Sequence, residues 1–166
     1  MPPSATTLPY VALSYITNLP HLCTVRNRTA CATQAEAALR LTSTAAGESA
    51  YRAISLFVAY YSTPRYCFTI DRRHFLPPPG VDAALAQFVI KPATERLGVR
   101  SEMALLSFLT LCFHMRRKTL LNNLKSNFDA ERVGEVLTNM GLSLSVRAQA
   151  LDLGQLVSLH NQLADA

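Results

Sequence analysis

Hydrophobic and polar positions follow two regimes along this chain, and the change comes near Gly98. Before it the apolar residues come in short runs separated by turn-forming stretches. The segment "QAEAALRL", 34–41, is built from strong helix formers and predicts a helix, while "TSTAAGES", 42–49, reads as a loop. "YRAISLFVAYY", 51–61, is apolar nearly throughout, a texture shared by buried helices and buried strands; its length favours a helix. "RYCFTI", 65–70, follows Pro64, is rich in β formers, and predicts a strand. A second strand is expected within "VDAALAQFVI", ending in Phe88, Val89 and Ile90, with Lys91 and Pro92 closing it. The proline-rich link between the two is too long for a tight hairpin turn, so the expected product is an antiparallel pair at one end of a larger sheet.

After Gly98 the spacing is helical. "SEMALLSFLTLCFHM", 101–115, is apolar on most faces and predicts a central, buried helix. Leu121, Leu124 and Phe128 then mark an apolar face opposite Lys118, Asn122 and Lys125. Asp129 is placed to cap a helix whose core stripe is Val133, Val136, Leu137 and Met140, with Gly141 as its stop. A last helix, from about Asp152, buries Leu153, Leu156, Val157 and Leu163, and His160 falls on the same stripe as a core residue. Arg117 breaks this pattern. In one continuous helix over 116–128 it would lie on the apolar face beside Leu121 and Leu124, where an unpaired charge is very costly. Either the helix breaks near His114 or an acidic partner holds Arg117, in which case a buried ion pair could tie two domains together.

Composition narrows the class. Of 166 residues, 49% are hydrophobic and 16% charged, enough apolar material for a core and too little charge for a disordered chain. No apolar run is long enough to span a bilayer and no compact signal h-region opens the chain, so a soluble protein is expected. Cys23, Cys31, Cys67 and Cys112 form no C-x-x-C pair and the four histidines are dispersed, so neither a zinc site nor a disulfide framework is expected. The first 34 residues contain no Asp or Glu. That composition fits an organellar transit peptide, and equally a loosely organised start to the folded part.

The net charge of +5 is less telling than its distribution. Residues 101–166 carry six basic and six acidic side chains, yet Arg116, Arg117, Lys118 and Lys125 fall within ten residues. Arg65, Arg72 and Arg73 form a second cluster just before the prolines. Local basic patches on a nearly neutral body point to a polyanion, against the plainer reading of solvated charge. Between the clusters, "HFLPPPG" sets Phe75 in front of three prolines, each of which fixes φ and removes a backbone donor. An aromatic so restrained beside Arg72, Arg73 and His74 is a surface on which an unpaired base can stack; the alternative is a core plug beside a sheet edge. The six glycines are at least seven residues apart, so neither a G-x-G-x-x-G nor a Walker loop is present.

Several segments together resemble one family. "FLPPPGVDAAL" is similar to the F-x-P-x-P-x-V-D-S-A segment of the small-subunit rRNA adenine N6-dimethyltransferases, and "RRKTLLNNLK" resembles their R-R-K-T/M-L-R-N-x-L run. "GLSLSVRAQALDLGQLVSLHNQL", 141–163, resembles their final helices, and "QAEAALRL" followed by "YRAISLFVAYY" resembles an upstream helix and its continuation, with a lean toward organellar members. The resemblance covers about residues 34–166. It implies the C-terminal part of a Rossmann-like methyltransferase sheet, an α/β arrangement ending in an antiparallel pair, over 34–99, followed by a small all-helical domain over 100–166. Residues 1–33 are left as a transit-like or degenerate segment.

The same resemblance implies S-adenosylmethionine as cofactor and small-subunit rRNA within a ribosomal particle as partner, with neither metal nor membrane. Four methyl groups in all go to two adjacent adenines. The exocyclic N6 is a poor nucleophile because its lone pair is delocalised, so such enzymes act by positioning: acceptors of an N-L-P-Y/F motif hold the amine and aromatic faces clamp the flipped base. Phe75 matches the second aromatic of that clamp and Tyr10 of "TLPY" the first, although Thr7 stands where Asn belongs. "NLPH", 18–21, supplies the Asn but not the aromatic. The family's glycine-rich cofactor loop has no counterpart. A truncated or degenerate chain, inactive alone, is expected. The competing class is a non-catalytic RNA-binding or ribosome-assembly module, and a helix-turn-helix DNA binder ranks below both because no recognition helix stands out.

Overall fold

The computed structural model describes residues 22–25 and 27–164, and everything below concerns those residues. Strands β1 (Leu22–Val25) and β2 (Arg28–Gln34) lead into helix α1 (Ala35–Thr42). Helix α2 (Ala53–Tyr61) runs without a linker into β3 (Ser62–Ile70), and the proline loop then returns the chain to β4 (Ala83–Ile90). The four strands form one sheet in the order β1-β2-β4-β3, antiparallel throughout.

The expected β3–β4 pair is present. β3 is longer than its sequence signal: it starts at Ser62 and passes through Pro64, which as an edge-strand residue has no ladder bond to donate outward. A bulge between Tyr66 and Phe68 shifts the register. β4, however, is flanked on both sides, by β3 and by β2. Of the two readings of the acid-free stretch, Leu22–Val25 and Arg28–Gln34 fit the start of the folded part, since both belong to the sheet. "RTACATQ" escaped notice because its inward positions are small and polar: Thr29 and Cys31 are buried, with no large apolar alternation to read.

Small side chains on that face serve the packing. Cys31, Ala84, Ala86 and Phe88 are fully buried and meet Ala38 and Leu41 of α1 and Val58 of α2 in a compact core. Here β-carbons bring helix and sheet close together. The opposite face of α2 does something else. Tyr51, Leu56, Tyr60 and Tyr61 enter a second, larger core with the helices that follow: α3 (Glu102–Cys112), α4 (Leu120–Leu124), α5 (Ala130–Asn139) and α6 (Leu153–Ala164). Helix α2 thus belongs to both cores.

The helical segments end where local chemistry ends them. Ser101, Thr119 and Asp129 each accept a backbone N–H at a helix N-terminus, and Gly141 takes a φ of 70° just beyond α5. His160 is buried against Phe108, as its place on the stripe predicts. Helix α3 stops at Cys112 and α4 begins only at Leu120, so 116–128 is not one helix. Arg117 is accordingly exposed, on the turn between them.

Candidate nucleic-acid interface

Two surfaces carry the residues singled out above. The first is the proline loop. Asp71 accepts the backbone N–H of Arg73 at 2.8 Å and takes its guanidinium in a fork, Nη2 to Oδ2 at 2.7 Å and Nε to both oxygens at 3.0 Å. These bonds hold the Asp71 carboxyl below its ordinary range. Across the loop, Asp82 Oδ1 accepts from the Arg72 backbone at 3.1 Å, Arg72 Nη1 donates to the Gly80 carbonyl at 3.1 Å, and the Asp82 carbonyl receives the Ala35 N–H at 2.9 Å. Asp82, the acid of the "VD" pair, is therefore a pin that reading the motif for its aromatic overlooked. Phe75 is 38% exposed, so it is not a core plug. It presents part of its ring to solvent beside a cleft lined by Asp71, Arg72, Arg73, Val81 and Asp82. Arg72 and Arg73 are both engaged within the loop, and the two carboxylates offset their charge locally.

The second surface is the turn after α3. Met115 O accepts the Lys118 N–H at 2.9 Å, which places Arg116 and Arg117 at the apex of a β-turn. Arg116, Arg117 and Lys118 are exposed, and Lys125 is exposed at the far end of α4. No ion pair engages these four among the described residues; Arg116 Nη2 instead reaches Gln149 Oε1 at 3.2 Å. Gln149 in turn receives the Gly47 N–H on its backbone carbonyl at 2.8 Å, and the buried Tyr51 hydroxyl donates to Leu151 O at 3.0 Å. These bonds draw the 43–50 loop, and with it Arg52, up to the basic turn. Burial, followed by the fields of Arg116 and Arg40, lowers the pKa of Arg52. Arg52 thus adds to the positive potential near the turn, although it did not stand out in the sequence, while Arg40 is paired with Glu36.

Among the described residues Arg117 has no tie to another part of the chain, so the expected ion pair at Arg117 is not formed there; a different arginine is paired nearby in sequence. Arg96, in the 91–101 link, places Nη1 3.1 Å from Glu102 Oε1, Nη2 3.4 Å from Lys91 O and its guanidinium carbon 5.0 Å from the centre of the Tyr61 ring. Tyr61 donates to Glu102 Oε2 at 3.0 Å. Burial, then the bond to Glu102, raises the Tyr61 pKa. Thr7, Tyr10 and the "NLPH" residues 18–21 lie outside the described residues.

A family profile described as ribosomal RNA adenine dimethylase matches residues 13–165. The chain belongs to that family. The match extends the resemblance upstream of residue 34, in keeping with the strands found there. Among curated relatives, a chloroplastic ribosomal RNA small subunit methyltransferase of Arabidopsis thaliana is 35% identical over 131 residues, covering 79% of this chain and 38% of that protein. Ribosomal RNA small subunit methyltransferase A of Pelotomaculum thermopropionicum is 35% identical over 136 residues, covering 80% and 45%. The chain thus spans less than half the length of these relatives. A dimethyladenosine transferase from Plasmodium falciparum superposes with a TM-score of 0.66 at 20% identity, over 92% of this chain and 63% of that one. The 23S rRNA methyltransferase ErmE gives 0.61 at 21%, over 95% and 63%. The fold is the C-terminal part of the methyltransferase sheet with its helical extension.

S-adenosylmethionine needs a cradle, usually a backbone that closes on the ligand where a Cβ would intrude. The six glycines, at 47, 80, 98, 134, 141 and 154, form no glycine-rich loop of that kind.

Proposed function

We propose that this chain is the RNA-gripping portion of an S-adenosylmethionine-dependent small-subunit rRNA adenine N6-dimethyltransferase. Residues 34–99 and 100–166 serve as its two functional parts. The observation that carries this reading is the β-turn bearing Arg116 and Arg117, a cationic apex with no carboxylate partner among the described residues, beside Arg52 and close to Lys118. Phosphates are the natural ligand of such an apex, and Phe75 offers a base its ring at the proline loop. In the whole protein Phe75 and Tyr10 clamp the flipped adenine, and Arg72 and Arg73 hold the loop that presents Phe75 to the RNA. The Arabidopsis relative's chloroplastic name supports an organellar setting, chloroplast or mitochondrion.

The test is RNA binding as a function of salt. Replacing Arg116, Arg117 and Lys118 by Gln should weaken binding to a small-subunit rRNA hairpin and flatten the slope of log K against log salt by roughly one unit for each phosphate no longer neutralised. An unchanged slope would show that the turn is only solvated. A second reading is a non-catalytic RNA-binding or ribosome-assembly module, since no G-x-G-x-x-G loop occurs in these 166 residues. Joined to the N-terminal half of a family member, the chain should support dimethylation of small-subunit rRNA under the first reading and fail to do so under the second.

A further inference from the structure

We propose that Asn123 is a positioning residue for RNA binding, a buried clamp that presets the geometry of the Arg116–Arg117 turn. This rests on reading that turn as a phosphate-binding surface. In the family's R-R-K-T/M-L-R-N-x-L run Asn123 occupies the unspecified position, so the motif assigns it nothing. The structure assigns it the turn.

The side chain of Asn123 lies in the core, between Leu120 and Leu124 of α4, and is 6% exposed. Its Nδ2 donates to Cys112 O at 2.8 Å and to Met115 O at 3.3 Å, while its Oδ1 accepts the Met115 N–H at 3.3 Å. Cys112 O is one of the last carbonyls of α3, which the helix itself leaves unpaired. Met115 is the first residue of the β-turn, and its N–H and its C=O both face the one carboxamide. All three bonds from this side chain thus go to the short run between the helix end and the cationic apex. No other residue of α4 reaches the turn through its side chain among the described hydrogen bonds. Lys118 closes the turn from within, and Leu120 N–H bonds to Val146 O at 2.8 Å, fixing the exit. The entry is fixed by Asn123.

Two guanidiniums on a flexible turn must be ordered when they meet RNA, and side-chain and loop ordering at an interface costs affinity. A clamp that orders the turn in the free protein removes part of that cost. Asn123 itself touches no RNA, because its amide is fully occupied inside.

The experiment uses the 166-residue chain and a short hairpin RNA as probe. Asn123→Ala is compared with Val136→Ala, which opens a cavity in the same core away from the turn, and with the Arg116, Arg117 and Lys118 to Gln triple variant. All are assayed well below their melting temperatures. Asn123→Ala should lower affinity by about 3- to 30-fold, the span set by the ordering cost of one or two side chains, and accelerate amide exchange at 115–118 while exchange in α5 and α6 stays as in the parent. Val136→Ala should lose stability and keep its affinity. Asn123→Ala that binds like the parent, or that loses affinity no more than Val136→Ala at matched destabilisation, would overturn the proposal. If Asn123→Ala does not fold, Asn123→Ser, which keeps one donor, must show the same local exchange and a smaller affinity loss, and parental exchange at 115–118 would overturn it. A triple variant that binds like the parent would sink the interface reading itself, a result distinct from failure of the clamp.

Discussion

Removing Glu102 should cost far more stability than removing the arginine it pairs with. The Arg96 side chain is 14% exposed and Glu102 35%, so the cation is the more deeply buried partner. Arg96 Nε is also buried without a hydrogen-bond partner. Glu102→Ala strands the guanidinium and takes the acceptor from the Tyr61 hydroxyl. Breaking a buried pair from one side costs about 3 to 5 kcal/mol, and the partial exposure of Glu102 brings the expected loss to about 2 to 3 kcal/mol. Arg96→Met removes the unpartnered Nε, retains much of the packing over Tyr61, and leaves Glu102 partly in water with the tyrosine still donating to it. About 1 kcal/mol is expected there, since exchanging a buried charge for a well-packed apolar side chain is often close to neutral. The double variant should then be less destabilised than the sum of the two, with a coupling of about 1 kcal/mol or more. Urea unfolding with a common m-value measures all three. Arg96→Met proving as costly as Glu102→Ala, or strict additivity, would refute the argument that the trapped cation dominates.

Three further outcomes are expected. Phe75→Ala should weaken binding to an RNA with unpaired bases by about 1 to 3 kcal/mol, the usual loss of a stacking face, and leave binding to a fully paired duplex as it was; equal losses on both would assign the ring to loop structure. The Asp71 carboxyl should titrate below the ordinary aspartate range in an NMR pH series, and Arg73→Gln should move it back. Because its folded pKa is depressed, the stability it lends is present above the unfolded value near about 4 and lost as pH falls through the folded one, so a parental titration curve in Arg73→Gln would count against the fork. A thiol reagent should modify exposed Cys67 quickly and reach Cys31 and Cys112, whose thiols burial pushes up in pKa, only as the protein unfolds; fast modification of Cys112 would contradict the helical core.

Much of this architecture was legible because helix formers, caps and stripes were mutually consistent. Asp129 caps through the Arg132 N–H at 2.9 Å, Gly141 stops its helix, and "YRAISLFVAYY" is a helix whose two faces serve two cores. Charge could be read only as a question at Arg117, and the answer, a break after Cys112, depends on Asn123 and Val146, which lie further along the chain. A polar amide at the i+3 position between Leu120 and Leu124 was the available signal. The strand Arg28–Gln34 was illegible for the opposite reason: close helix approach selects small residues, which erase the alternation that marks a strand. At the site, Phe75 and the basic turn were visible as residue types. That Arg72 and Arg73 are tied down by Asp71, Asp82 and Gly80 required coordinates, since each pairing crosses a turn whose geometry composition does not specify.

Helix α2 is shared by both cores, with Val58 turned to the sheet and Leu56, Tyr60 and Tyr61 turned to the helices. A hinge between the two would have to pull one set of these side chains out of its packing, so the molecule has no easy way to open or close around a guest. The proline loop of the sheet side and the basic turn of the helical side are therefore held at a fixed separation by packing on one shared helix. If the two surfaces bind RNA as proposed, the adaptation falls to the nucleic acid.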